Sequence, residues 1–236
     1  MPPLPSSNLR DSETFPGLFS LPGDRGVEDL YHIEDPRTGT ISPRRHWCLI
    51  AEITTLSKFL RLSIYAKDRD GKEFPIHVHT SDRGVGMSKY CQEGHTIILM
   101  YAERHNFADG TVGIRLEDGA SVKVLPYSVA TLMAANDRYF EAEGKTVCDC
   151  CGAGQTKGTG GLKNCARCKV TSYCSKKCQS EAWNKGHKED CKVLTQIHDF
   201  ASKDWELFQG WFEPHTMRPP PSGPAMQVLH SLPVFD

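Results

Sequence analysis

The chain has 236 residues, 39% of them apolar and 24% charged, with a formal net charge of −1. That length suits one or two domains of ordinary globular composition. No apolar run reaches the ~18 residues of a membrane span, and the N-terminus lacks a basic start followed by an apolar stretch, so the expectation is an intracellular protein of cytoplasm or nucleus, not secreted and with no membrane partner.

Residues 1–44 contain Pro2, Pro3, Pro5, Pro16, Pro22, Pro36 and Pro43 and show little periodicity. They read as an irregular proline-containing segment, either disordered or lying extended on the next domain. The PPLP run at Pro2–Pro5 offers a polyproline ligand, against the simpler reading of a frayed terminus.

From residue 45 to 126 the pattern is that of strands. HWCLIAEIT is the first, and SKFLRLSIYAKD follows with Leu60, Leu62, Ile64 and Ala66 on one face. Arg69–Gly71 reads as a hairpin turn, after which Phe74, Ile76 and Val78 alternate. A connector over residues 81–94 leads to HTIILMYAERH, the most apolar strand; then come a turn at Asp109-Gly110 and strands TVGIRLE and SVKVLP. Such a series suits a small closed antiparallel barrel of the OB type. Residues 127–144 read as a linking helix with Ser128 as N-cap. Beyond a cysteine-rich stretch at 145–192, an apolar stripe predicts a C-terminal helix over 193–213. A proline-rich tail, with PPPSGP at Pro219–Pro224, occupies 214–236. The expected fold class is α+β.

The cysteine-rich stretch carries the chemistry. Cys148/Cys151 and Cys165/Cys168 are C-x2-C pairs, Cys174/Cys178 is C-x3-C and His187/Cys191 is H-x3-C. A closed structural zinc site takes four N/S ligands, so these eight residues supply the ligands of two Zn2+ ions. A segment of about 45 residues cannot bury enough apolar surface to fold unaided, and metal makes up the difference. With no export signal, the cysteines read as thiolates rather than a disulfide framework. Spacing alone leaves open which pairs share an ion, and Cys150 is left over as a free thiol.

Residues Cys148 to Cys191, above all YCSKKCQSEAW…HKEDC from Tyr173 onward, resemble the MYND zinc-finger family. The barrel–helix–finger layout is similar to that of some fungal MYND proteins. The resemblance implies a two-zinc cross-brace, with Cys148, Cys151, Cys174 and Cys178 on one ion and Cys165, Cys168, His187 and Cys191 on the other. Two departures stand out: a longer Gly-rich segment between Cys151 and Cys165, which suggests a flexible insertion, and a Cys178–His187 gap one residue longer than usual. The histidine is seventh of eight ligands, unlike the RING arrangement. Fingers of this kind bind proline-rich peptides of the PxLxP type, which implies a protein partner gripped through Ser175, Gln179 and Trp183.

Residues 145–195 hold ten Lys/Arg and four Asp/Glu, a formal +6; seven thiolates and two zinc ions bring this to +3. That is a solvated surface rather than a phosphate groove. The rival ligand is single-stranded nucleic acid on the barrel, where Phe59, Arg61, Tyr65 and Lys67 share one face with His77 and His79. The preferred reading is that the N-terminal segment or a helix covers this face. His77-x-His79 has no third metal ligand nearby. No nucleophile elbow, P-loop, HExxH helix or methyltransferase-type N-H-S-C-x-P-N run is present, and closed zinc sites leave no open position, so no enzymatic activity is expected.

Overall fold

The computed structural model describes residues 5, 7–142, 144–154 and 161–212. Most of the PPLP run, the middle of the Gly-rich insertion and the PPPSGP tail lie outside them. In chain order the elements begin with a small hairpin, β1 (His32–Glu34) and β2 (Ile41–Pro43). The sheet strands are β3 (Cys48–Ser57), β4 (Ser63–Asp68) and β5 (Glu73–Val78); after a short helix α1 (Val85–Ser88) come β6 (Thr96–Met100), β7 (His105–Asn106), β8 (Val112–Leu116) and β9 (Val122–Leu125). Helix α2 (Val129–Glu141) leads to the hairpin β10 (Lys163–Asn164) and β11 (Ser172–Tyr173), then α3 (Lys176–Ala182) and α4 (Lys188–Ala201).

Strands β3, β4 and β5 form an antiparallel meander, β8 lies parallel to β5, and β6 and β9 follow on the other side of β3. The order β7-β8-β5-β4-β3-β6-β9 is linear. The expected closed barrel is therefore corrected to a large mixed sheet whose end strands are not paired with each other. The 3-10 turn Gly119–Ser121, where the Asp118 carboxylate accepts from the Ala120 N–H, separates the last two strands, and β8 pairs with β5 while β9 pairs with β6.

Alternation explains the two cores. Ile64, Ala66, Phe74, Ile76 and Val78 point inward with Leu49, Ala51, Ile97 and Leu99. Cys48, Ile50, Ile98 and Met100, on the other face of β3 and β6, pack on α2, α4 and the cysteine region. Strands β3 and β6 are thus apolar on both sides because both faces are covered. Leu60 departs from its expected inward place: residues 58–62 form the open connection between β3 and β4, and Leu60 is 69% exposed. The long apolar run after His95 is also divided. Tyr101 has φ +54 and ends β6, its hydroxyl held by His46 Nδ1 at 2.6 Å and the Phe212 N–H at 2.8 Å.

The described part of the N-terminal segment packs on the sheet. Leu9 and Phe15 enter the outer core, Leu18, Leu21 and Tyr31 the inner one. The crossing is tight: a Cβ on Gly17 would lie 2.1 Å from an Asp70 carboxylate oxygen. There the buried Asp68 carboxylate accepts from the N–H groups of Leu18 (2.8 Å), Asp70 (3.0 Å) and Lys72 (2.9 Å). Arg69 donates to the carbonyls of Arg10 and Phe15, both at 2.8 Å.

Ser128 caps α2 by accepting from the Thr131 N–H at 3.1 Å. The C-terminal helix ends at Ala201 rather than near Phe212. Residues after it turn back because Trp205 stacks on Phe200 (centroids 5.8 Å apart) and its carbonyl accepts from the His46 N–H.

Candidate metal centre and peptide face

Each C-x2-C pair sits on a tight knuckle. In the first, the Cys148 N–H donates to the Ala153 carbonyl and the Gly152 N–H to the Cys148 carbonyl, with Gly152 at φ +71. In the second, the Cys165 N–H donates to Thr171 and the Lys169 N–H to Cys165, with Lys169 at φ +62. The residue after each second cysteine must turn left-handed, which glycine adopts freely and lysine does not. Asp149 ties the knuckles together: its N–H donates to the Ser172 carbonyl, and its carboxylate accepts from the Ser172 N–H at 2.6 Å.

The remaining donors come from the helical part. Cys174 precedes α3, Cys178 lies in its first turn, and Ser175 Oγ caps the helix by accepting from the Cys178 N–H at 3.2 Å. Between α3 and α4 the chain kinks over Trp183–His187, where Gly186 takes φ +130, outside the helical range and open to glycine. The kink falls inside the Cys178–His187 gap and leaves His187 buried.

The eight donors gather in two groups, Cys148, Cys151, Cys174 and Cys178 in one, and Cys165, Cys168, His187 and Cys191 in the other. Within each group all donor atoms lie within 4.8 Å of one another. The Cys174–Cys178, Cys151–Cys174 and Cys165–Cys191 sulfurs are 3.5, 3.7 and 3.8 Å apart, and Cys168 Sγ is 3.9 Å from His187 Nε2. Four sulfurs about 2.3 Å from a central zinc would form tetrahedral edges of about 3.8 Å. The groups interleave along the chain. The first is partly open, with Cys151 and Cys174 exposed; the second is wholly buried.

Electrostatics make the case for a cation. Burial raises the Cys148 thiol, but the N–H groups of Cys151, Cys174 and Cys150 outweigh it and bring it down to about 6. In the same group, neighbouring Cys178, Cys151 and Cys148 push Cys174 up to about 12. In the second group burial again opposes the shift, yet His187 and the N–H groups of Cys168 and Arg167 lower Cys165 to about 6. Burial and the sulfurs of Cys168 and Cys165 push Cys191 up to about 12. Clustered thiolates repel, and only a bound metal lets all of them ionise together.

The sequence pattern of residues 148–191 matches the MYND finger family model over the whole stretch. This part of the chain is a MYND finger. The same segment is 48% identical over 42 residues to a SET and MYND domain-containing protein of Dictyostelium discoideum, covering 18% of this chain and 8% of that one. It is 48% identical over 48 residues to the histone-lysine N-methyltransferase SMYD3 of Homo sapiens, covering 20% and 10%. It is 46% identical over 35 residues to ubiquitin carboxyl-terminal hydrolase 16 of Arabidopsis thaliana, covering 15% and 4%. The chain thus spans at most about a tenth of these relatives, and the likeness is confined to the finger. A MYND finger binds zinc and is a non-catalytic protein-interaction module, and the two donor groups can hold two ions.

Trp183 is half-buried, its ring edge-on to His187 with centroids 5.9 Å apart. Gln179 is half-buried beside it in sequence, one turn earlier, and Ser175 is exposed. Cys150 belongs to neither donor group; its sulfur lies 3.8 Å from Glu181 Oε2.

On the sheet, the described N-terminal residues leave the outer face of β4 and β5 uncovered, against expectation. Phe59, Arg61, His77 and His79 come together in the wall of an open hollow of about 380 Å³. Phe107, from the loop after β7, completes that wall and carried no signal in the sequence, because only the β7–β8 hairpin brings it there. Tyr65 and Lys67 are exposed but stand outside the hollow.

Proposed function

We propose that the chain is a non-enzymatic adaptor of the cell interior whose MYND finger, holding one zinc on Cys148, Cys151, Cys174 and Cys178 and another on Cys165, Cys168, His187 and Cys191, grips proline-containing peptides of a protein partner. The observation that carries this reading is Trp183. Its ring meets His187 edge-on and packs against the core of the finger, which leaves the side chain half-exposed at the surface. A rigid aromatic ring anchors an extended proline segment at little entropic cost. Gln179 supplies amide donors and acceptors next to it. Ser175 has a different part: its hydroxyl is engaged as the helix cap, so it shapes the face by fixing α3. The open order of the large sheet, with β8 parallel to β5 and β6 beside β3, supports reading it as an OB-like platform interrupted between β8 and β9.

The test is a fluorescence-anisotropy titration of labelled PxLxP peptides with the zinc-loaded chain. Saturable binding that weakens about 30-fold or more in Trp183→Ala is expected for an aromatic anchor worth about 2 kcal/mol. Equal affinities for the two proteins would refute the reading.

A further inference from the structure

The outer face of the sheet carries a second surface with its own chemistry. The hollow lined by Phe59, Arg61, His77, His79 and Phe107 lies over strands β4 and β5, in the middle of the sheet. Phe59 stands 90% exposed at its rim. The Phe107 ring meets His77 edge-on (centroids 4.8 Å apart) on one side and His105 (4.6 Å) on the other. Beyond His105 a second hollow of about 190 Å³ opens, walled by Arg25, Arg104 and Asn106. The two hollows are distinct but adjoin through the contact between His105, in the wall of one, and Phe107, in the wall of the other.

Charge and backbone decide what fits. The walls present Arg61, Arg25 and Arg104, whose guanidinium also donates to the Phe19 carbonyl at 2.7 Å, against Asp24, which is engaged by His105, while Asp109 and Glu117 act on His77 and His79 from nearby. Arg61 donates to His79 Nδ1 at 2.7 Å, and His77 Nδ1 pairs with Ser63 Oγ at 2.9 Å, so both rings are fixed in orientation. Burial, reinforced by Arg61, holds both imidazoles below their ordinary range, which leaves them neutral flat surfaces near pH 7. Strands β4 and β5 are interior strands whose backbone groups are used by the ladder, so no peptide strand can be added beside them. Recognition falls to ring faces and guanidinium groups.

We propose that these adjoining hollows together bind single-stranded nucleic acid, with bases stacking on Phe59 and Phe107 and phosphates meeting Arg61 and the Arg25–Arg104 end. Crossing from β4 through β5 and β8 to β7 spans three strand spacings, about 14 Å. That length takes a stretch near the lower limit of about four nucleotides for such surfaces. The site is separate from the finger and does not depend on the finger's peptide ligand.

The experiment uses the full zinc-loaded chain and fluorescence anisotropy with labelled oligo-dT and mixed RNA of about 12 nucleotides in ~0.1 M salt. A duplex of the same length and a PxLxP peptide run alongside. Variants are Phe59→Ala, whose side chain is exposed and leaves the core intact, Arg61→Ala, and, in the finger, Lys176→Ala with Lys177→Ala. The expected result is saturable binding of the single strands, weakened about 5- to 150-fold by losing one stacking ring. Arg61→Ala lowers the salt dependence, and the finger variant binds as the parent does. The proposal is overturned if the single strands fail to saturate below ~100 µM, the range of unspecific contact. It is equally overturned if duplex binds as tightly, if Phe59→Ala binds as the parent does, or if only the lysine variant loses binding. Loss of the peptide rather than the oligonucleotide in Phe59→Ala would assign the face to a protein partner and likewise overturn it.

Discussion

Breaking the buried donor group should release a whole layer of the protein, whereas breaking the exposed one should not. Cys191 lies in the first turn of α4, and the same helix buries Val193, Leu194, Ile197 and Phe200 against β3, β6 and α2. Each such side chain gains about 1.5–3 kcal/mol on burial. The helix is aimed at the sheet by Cys191 and by His187 in the turn before it. A structural zinc site contributes about 10–16 kcal/mol in finger peptides, while an entire domain is stable by only about 5–15 kcal/mol. In Cys165→Ala with His187→Ala, two donors remain and the site cannot close. Hydrogen exchange read by mass spectrometry should then show protection lost over residues 188–201 and 129–141. Strands β4 and β5, which face the inner core, should keep theirs. The matched variant Cys151→Ala with Cys174→Ala should lose protection only around residues 148–154 and 173–183, because both removed sulfurs are exposed. Undiminished protection of 188–201 in the first variant would refute the idea that metal positions α4.

Three further outcomes follow from single positions. Lys169→Gly removes a left-handed strain of about 1–2 kcal/mol, and after glycine's greater unfolded freedom it should stabilise the zinc-loaded protein by about 1 kcal/mol in denaturant titrations. Asp68→Ala leaves the N–H groups of Leu18, Asp70 and Lys72 without their acceptor and should cost about 3 kcal/mol by the same measurement, with Asp68→Asn costing less. His46 lies buried under Phe212 at 3.7 Å between centroids, and burial lowers its pKa from 6.5. The unfolded chain then binds the proton more readily, so this contribution is complete above pH 6.5 and is lost as pH falls through the folded value. His46→Gln should flatten the decline of stability below pH 6.5 relative to the parent, and an unchanged slope would contradict the assignment.

The donor pairs were legible because ligand spacing is local: two or three intervening residues suffice to put two sulfurs on one ion. The interleaving came from family likeness, since nothing in the spacing joins Cys148 to Cys174. Strands were readable wherever one face alternates, as at Ile64 and Ala66 or Phe74 and Ile76. The errors lie where long-range contacts override local pattern. Tyr101 breaks an apolar run because its hydroxyl is held by His46 and the Phe212 backbone. The final helix stops at Ala201 because Trp205 is drawn back onto Phe200 and Phe15. The face at Phe59 stays open because the N-terminal segment, free to lie anywhere by sequence, is tied down by Asp68 and Arg69 at the other end of β4.

The reading of the finger as a peptide clamp rests on Trp183, and amide mapping tests it most directly. Adding an unlabelled PxLxP peptide to the isotopically labelled, zinc-loaded chain should shift the amides of residues 175–185 and the Trp183 indole in a saturable way. Outer-face residues such as His77 and Arg61 should stay still. Shifts absent from the finger at saturating peptide, or concentrated on the sheet, would contradict the account.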